Sequence, residues 1–129
     1  MVPNKLKYSK EHEWVYIDDT DSALVGVTQF AADSLGDVVF VDLPAVDSEI
    51  SQFEPFGEIE SVKAVSELFS PISGTIVEVN QSVIESPELV NENPYENGWL
   101  VRVSLTDPSE LTRLMSANEY EAFIKSEGT

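Results

Sequence analysis

Short runs of β-branched and aromatic residues, separated by glycine, proline and clusters of aspartate or serine, constrain the fold of this chain more than any other feature. The clearest runs are Glu13–Ile17, Ala23–Val27, Val38–Leu43, Thr75–Val79 and Trp99–Leu105. The Thr75–Val79 run also alternates in the manner of a strand. Many short strands at such turn-rich spacing predict a mainly β fold, a compact barrel or sandwich.

One short helix is predicted inside the β-structure. Thr28 can cap a helix over Gln29–Leu35, and Gly36 can supply its left-handed exit. Further along, Asn80 and Gln81 are predicted to open a turn after the Thr75–Val79 strand.

The C-terminal segment, about residues 107–125, has a different pattern. Asp107-Pro108-Ser109-Glu110 combines an N-cap acid, a proline at the first helical position and a glutamate three residues after the cap. Ser116-Ala117-Asn118-Glu119 repeats the capping-box signal. We therefore expect two short helices packed on the β-core of a single domain that spans residues 1–129.

The chain is strongly acidic, with 24 Asp and Glu against 7 Lys and Arg and a net charge of −17. Such a surface repels phosphate backbones and anionic membranes, so neither nucleic acid nor a membrane is an expected partner. It would steer the protein toward basic patches on other proteins, although the same charge also serves solubility alone.

The N-terminal residues Met1–Lys7 have no apolar stretch after their charges, and no apolar run approaches the ~20 residues that span a bilayer. We therefore expect a soluble monomer of the bacterial cytoplasm, or of the mitochondrial matrix if the source is eukaryotic. A secretory signal peptide is not predicted.

The chain contains no cysteine and one histidine, His12. Disulfide scaffolds, thiolate metal sites and thiol nucleophiles are thereby excluded, and no catalytic triad or metal site is predicted. We expect His12 to be a structural, hydrogen-bonded residue, and the protein not to be an enzyme. Any redox sulfur would have to belong to a cofactor.

Lys63 is distinctive because of its setting. Between Glu11 and Val101 there are 19 acidic residues and a single Lys or Arg, which is Lys63. It lies between two strand-like stretches, so a four-residue turn there would project it into solvent. We expect the turn to be held by burial of the flanking Ile59 and Val65. A lysine displayed in this way suits an enzyme that must select one amine for acylation.

The segment Glu60-Ser61-Val62-Lys63-Ala64-Val65-Ser66 resembles the lipoyl-attachment motif of glycine cleavage H proteins. Biotin carriers instead place their lysine between methionines, and lipoyl domains of 2-oxo acid dehydrogenases usually have an acidic residue immediately before it. Other segments that are similar to this family are Tyr8–Trp14, Val25–Thr28, Leu35–Pro44, Ser70–Gly74, Leu89–Asn91 and Pro94–Trp99. The resemblance implies a barrel-sandwich hybrid of the lipoyl/biotinyl type.

The resemblance further implies a carrier with lipoate in amide linkage to Lys63. Its arm would take an aminomethyl group from glycine decarboxylase to aminomethyltransferase, and reducing equivalents to dihydrolipoamide dehydrogenase. A lipoate-attaching enzyme is the fourth implied partner. In this family the loaded arm can fold into a cleft, where Glu13 and Glu67 match acidic positions by resemblance. A third cleft position, a histidine in some members, is Ser34 here.

Other interpretations remain open at the level of sequence. Glu13 and Glu67 could be ordinary solvated acids. The protein could act as a donor in lipoate relay to other lipoyl domains, alone or together with glycine cleavage. A biotinyl carrier and a purely structural interaction domain are further alternatives, and the latter predicts no modification.

Overall fold

A computed structural model describes residues 5–19 and 21–127. The strands are β1 Lys7–Tyr8, β2 Glu13–Asp19, β3 Ser22–Val27, β4 Val38–Asp42, β5 Glu49–Ile50, β6 Pro55–Ser61, β7 Val65–Phe69, β8 Gly74–Val79 and β9 Val101–Leu105. The helices are α1 Gln29–Leu35, α2 Gln81–Glu85, α3 Leu89–Glu92, a 3₁₀ helix Pro108–Arg113 and α4 Ala117–Glu127. The prediction of a mainly β protein with short helices is confirmed.

The strands form two sheets that share one core. Six strands are arranged in the order β1-β2-β3-β9-β8-β5, and three in the order β4-β6-β7, with antiparallel pairing throughout. Val25, Ile76 and Val103 of the larger sheet belong to the same buried cluster as Val41 and Ile59 of the smaller one. The apolar faces of the two sheets are thus buried against each other.

Helix α1 connects the two sheets and has the predicted ends. Thr28 Oγ1 accepts a hydrogen bond from the backbone N–H of Ala31 at 3.2 Å, which caps the helix. Gly36 ends it with φ 75° and ψ −159°, a conformation that only glycine adopts readily. The last turn of α1 therefore leads directly into β4.

The segment after β8 differs from its prediction, since the turn at Asn80 opens two short helices. Asn80 caps α2 by accepting from the backbone N–H of Ser82 at 3.1 Å. Val83 of α2 and Val90 of α3 are fully buried. Helices of five and four residues are too short to produce a recognisable 3.6-residue pattern, which is why the sequence indicated only a turn.

The C-terminal helices form as predicted, although the first is a 3₁₀ helix. Ser116 and Glu119 make the capping box of α4: the Glu119 N–H donates to Ser116 Oγ at 3.2 Å, and the Ser116 N–H donates to Glu119 Oε1 at 2.8 Å. Helix α4 packs on β1, where the rings of Tyr120 and Tyr8 stack with centroids 4.6 Å apart. This second apolar cluster attaches the C-terminal segment to the six-stranded sheet.

Candidate functional site

The turn that carries Lys63 joins β6 to β7, as predicted. The backbone N–H of Ser61 donates to the Ala64 carbonyl at 2.8 Å, and the N–H groups of Lys63 and Ala64 both donate to Ser61 Oγ at 3.2 Å. A serine side chain that accepts from the following backbone is a common turn device. Lys63 is consequently exposed on a turn whose backbone is fixed by its own hydrogen bonds.

The two residues expected to anchor this turn behave differently. Ile59 is fully buried, whereas 58% of Val65 is exposed, so the expected burial of Val65 is wrong. The register explains the difference, because Glu60 pairs with Val65 and Ile59 pairs with Ser66. Side chains alternate between the two faces of a strand, and burial of Ile59 therefore places Val65 on the outer face.

The aliphatic stem of Lys63 lies against Gly36. A Cβ atom built on Gly36 would be 3.1 Å from Lys63 Cε and 4.0 Å from Nζ. On the neighbouring residues, the Val62 N–H donates to the Asp37 carbonyl at 3.0 Å, which joins the β6–β7 turn to the segment after α1. Gly36 thus leaves a space, called the lysine seat below, that the Lys63 stem occupies and that a larger side chain would partly fill.

Asn91 holds that seat in place from α3. Its Nδ2 donates to the Gly36 carbonyl at 2.8 Å, and its Oδ1 accepts from the Val38 N–H at 2.9 Å. The side chain of Asn91 therefore fixes the backbone on both sides of Asp37. Sequence reasoning assigned no function to Asn91, Ser61 or the Gly36–Lys63 contact, and only the serine carried a local signal, since Ser is typical of turns.

A cavity of about 210 Å³, called the cleft below, lies beside this seat. Glu13, Ser34 and Glu67 all line it, so the structure brings the three resemblance-derived positions together. Leu35, the residue immediately before Gly36, and Ile59 contribute apolar walls. Leu35 therefore connects the cleft to Gly36, the residue against which the Lys63 stem lies.

Glu13 is a buried carboxyl group rather than a solvated one, with 2% of the residue exposed. Ser9 Oγ donates to its Oε1 at 2.6 Å, and the Phe69 N–H donates to its Oε2 at 3.2 Å. Burial raises the pKa of Glu13 to about 8, although these hydrogen bonds act in the opposite direction. Near neutral pH, Glu13 is therefore mainly protonated.

Glu67 and Ser34 also line the cleft, and both residues are exposed. Glu67 lies on the edge strand β7, opposite Glu58 of β6. Glu13 is therefore the buried, neutral carboxyl of the cleft, while Glu67 is an exposed carboxyl that also lies beside Glu58 on the outer face of the three-stranded sheet.

His12 is hydrogen-bonded within the fold, as expected from the sequence. Its Nδ1 lies 2.8 Å from the Tyr120 hydroxyl, and the same hydroxyl is 2.7 Å from Thr28 Oγ1. Thr28 caps α1, so α4 is linked through Tyr120 to the helix that forms one wall of the cleft. His12 itself adopts a left-handed backbone with φ 70° and lines the cleft next to Glu13.

Two larger cavities lie elsewhere. One of about 360 Å³ is lined by Phe53, Arg113 and Met115, and one of about 410 Å³ by Trp14 and Tyr95 among others. Neither is lined by a residue of α1, the helix that leads into the lysine seat, so the smaller cleft is the candidate site.

Across residues 5–19 and 21–127, no group of three or more potential ligands is placed to hold a metal ion, and no helix is long and apolar enough to span a membrane.

Comparison with known proteins identifies the family of the chain. The profile of the Glycine cleavage H-protein family matches residues 6–127. The glycine cleavage system H protein of Carboxydothermus hydrogenoformans is 51% identical over 128 residues, covering 99% of this chain and 98% of that protein. The corresponding protein of Staphylococcus epidermidis is 53% identical over 123 residues, covering 95% of this chain and 97% of its own length.

A solved structure supports the fold. The crystal structure of a glycine cleavage system H protein from Mycobacterium marinum matches with a TM-score of 0.86 at 37% identity, covering 99% of this chain and 100% of that one. The two sheets and their short helices are therefore a barrel-sandwich hybrid, as the resemblance implied. The chain belongs to the glycine cleavage H-protein family.

Proposed function

We propose that this protein carries lipoate in amide linkage on Lys63 and shuttles an aminomethyl group from glycine decarboxylase to aminomethyltransferase. The observation that carries the proposal is the position of Lys63: its turn is fixed by Ser61, its stem lies on Gly36, and Leu35, the residue before Gly36, lines the cleft. Family membership supplies the lipoyl carrier role, and the seat fits a linear amide-linked arm.

When attached, the lipoyl group supplies a disulfide that can accept the aminomethyl group and be reoxidised afterwards by dihydrolipoamide dehydrogenase. The chain itself supplies position. A rigid turn presents the amine, and the absence of a side chain at Gly36 leaves room for the stem to turn toward the cleft. Acylation would remove the lysine charge, so the stem could lie along apolar Leu35 without desolvating an ammonium group.

The two carboxyls of the cleft suit a cargo that carries an amine. An ammonium group near Glu67 would be stabilised by its negative charge. Deeper in, the same group would favour ionisation of Glu13, because an opposite charge lowers a carboxyl pKa that burial has raised. Glu13 would thus release a proton when a cationic group enters and recover it when that group leaves.

Reconstitution tests the function directly. The lipoylated protein, mixed with purified glycine decarboxylase, should support exchange between labelled bicarbonate and the glycine carboxyl group, and Lys63→Arg protein should support none. Lys125→Arg, the same substitution at an exposed lysine of α4, serves as the matched control and should retain full exchange. Normal exchange by Lys63→Arg protein, or none by the lipoylated wild type, would overturn the proposal.

Donation of the lipoyl group to other lipoyl domains is a separate activity that the same seat could serve. Incubation of the lipoylated protein with a lipoyl transferase and an unmodified lipoyl domain distinguishes it. Appearance of the lipoyl mass on the acceptor, with matching loss from Lys63, would add relay to the carrier role. No change in either mass would exclude it for that transferase and acceptor.

A further inference from the structure

Apolar surface is exposed next to Lys63 on the outer face of the three-stranded sheet. Four residues form it, and we call them the hairpin face: Val39 (55% exposed), Phe40 (49%), Val62 (69%) and Val65 (58%). Exposed apolar residues that are clustered, rather than scattered, indicate an interaction site. The rest of the described chain thus leaves about half or more of each of these residues open to solvent.

Strand register places the members of this face together. Phe40 pairs with Glu60 across β4 and β6, and Glu60 pairs with Val65 across β6 and β7, so Phe40 and Val65 flank one glutamate. Val39 lies where the β4–β6 register shifts, immediately beside Phe40. Val62 begins the turn, one residue before Lys63, and is fixed by its hydrogen bond to Asp37.

The next row of the same sheet consists of carboxylates. Asp42 pairs with Glu58, and Glu58 pairs with Glu67, so three exposed acids lie directly opposite one another on adjacent strands. Like charges in this arrangement destabilise a sheet. Among the residues that the structure describes, no Lys or Arg forms an ion pair with these three acids, and they do not form part of a candidate metal site.

An apolar face bordered by unpaired carboxylates is complementary to one kind of surface: an apolar patch bordered by Lys and Arg. We propose that the hairpin face and its acidic row are the docking surface for the enzyme that acylates Lys63, and that this enzyme presents such a patch beside its active site. The inference rests on the proposed function, because it names the partner of the same lysine.

The distance from the turn to the reacting atom favours this partner over the enzymes that use the loaded arm. In acylation, Lys63 Nζ attacks the acyl carbon of a donor activated as a mixed anhydride with a phosphate group. The N–C bond forms, the bond from that carbon to the phosphate oxygen breaks, and the amine loses one proton. The reacting atom is then at the end of a four-carbon stem, so the enzyme must contact the turn itself. An enzyme that uses the distal end of an acylated arm is separated from the turn by the length of that arm.

The test compares matched apolar substitutions in the unmodified, full-length protein. Phe40→Thr and Val65→Thr remove apolar surface from the hairpin face, while Val77→Thr and Tyr16→Thr do so on exposed strand positions of the six-stranded sheet. Each protein is acylated by a purified lipoate ligase with lipoate and ATP, and the lipoyl mass is followed with time. We expect the KM for the carrier to rise about tenfold for each hairpin-face variant, with kcat nearly unchanged, and both constants to stay within about twofold for the two controls.

A second measurement separates docking from damage to the turn. Acetylation of Lys63 by a small reagent such as acetic anhydride should proceed at the wild-type rate in all four variants, because it needs only an exposed amine. Asp42→Asn should flatten the dependence of ligase kcat/KM on ionic strength, since it removes one charge from the acidic row.

The outcomes are distinguishable. A wild-type protein that gains no lipoyl mass overturns the proposed function and this inference together. If the wild type is acylated but Phe40→Thr and Val65→Thr keep the wild-type KM, the function stands and the docking surface is wrong. The docking surface is also wrong if the KM rises as much for the control variants as for the hairpin-face variants. It is wrong as well if the hairpin-face substitutions slow acetylation of Lys63 by the small reagent.

Discussion

The Nδ2 of Asn91 donates to the carbonyl oxygen of Gly36 at 2.8 Å, joining residues that are 55 positions apart. Gly36 is the residue against which the Lys63 stem lies. A polar side chain of a four-residue helix therefore determines where the backbone supports the lysine. Together with the hydrogen bond from the Val62 N–H to the Asp37 carbonyl, this contact links the Lys63 turn to the end of α1.

Asn91→Ala should lower the free energy of unfolding by about 1–3 kcal/mol, because it leaves the Val38 N–H and the Gly36 carbonyl without their side-chain partner. Urea denaturation followed by circular dichroism measures the change. Asn118→Ala, an exposed asparagine on α4, is the control and should change stability by less than about 0.5 kcal/mol. Equal stability of the Asn91→Ala and wild-type proteins would show that the bridge contributes nothing.

Gly36→Ala should be destabilised by about 1–3 kcal/mol, since φ 75° and ψ −159° are nearly restricted to glycine. The added methyl group would also displace the Lys63 stem, whose Cε would be 3.1 Å away. Thermal unfolding reports the first effect. NMR chemical shifts of the isotope-labelled Lys63 side chain report the second. A variant with wild-type stability and unchanged Lys63 shifts would contradict the seat.

Much of this arrangement follows from local sequence. The turn at Lys63 is predicted by the β-branched residues on both sides of it, and the ends of α1 are predicted by Thr28 and Gly36, because caps and exits depend on residues within a few positions. The exposure of Val65 was missed, although a hairpin register that pairs Glu60 with Val65 requires it once Ile59 is buried. Hydrophobicity alone does not determine which face a valine occupies.

The contacts that define the cleft could not be predicted from local patterns. Glu13 accepts from Phe69, which is 56 residues away, and no spacing rule connects these positions. The raised pKa of Glu13 depends on burial by the complete fold, so the sequence permitted either a solvated acid or a cleft residue. The resemblance to a family, rather than any periodicity, singled out Glu13 and Glu67.

The raised pKa of Glu13 predicts a specific pH dependence of stability. A carboxyl with a folded-state pKa of about 8 binds its proton more tightly in the folded than in the unfolded protein, so its contribution to stability is present at low pH. That contribution is lost as the pH rises toward about 8. Between the ordinary carboxyl pKa of 4.5 and the raised value of about 8, the free energy of unfolding of the wild type should therefore fall relative to that of Glu13→Gln as the pH rises. The fall should reach up to about 1.4 kcal/mol for each pH unit.

Denaturant titrations of both proteins at about pH 5, 6, 7 and 8 measure this difference. The contributions of the other acidic residues to the pH dependence cancel, because the two proteins share those residues. Glu85→Gln, which removes an exposed acid, should follow the wild-type curve closely. Parallel curves for the wild type and Glu13→Gln would mean that Glu13 is not a perturbed carboxyl.

Lys63 is the residue that we propose this fold presents for acylation, and a mass measurement that locates the lipoyl group tests this proposal. The protein is purified from lipoate-fed cells that contain a lipoate ligase, and its intact mass is measured. Its peptides are then sequenced by tandem mass spectrometry, with Lys63→Arg as the paired variant. We predict one lipoyl addition on the wild type, located on the peptide that contains Lys63, and none on Lys63→Arg. No addition to the wild type, or an addition on Lys5, Lys7, Lys10 or Lys125, would contradict it.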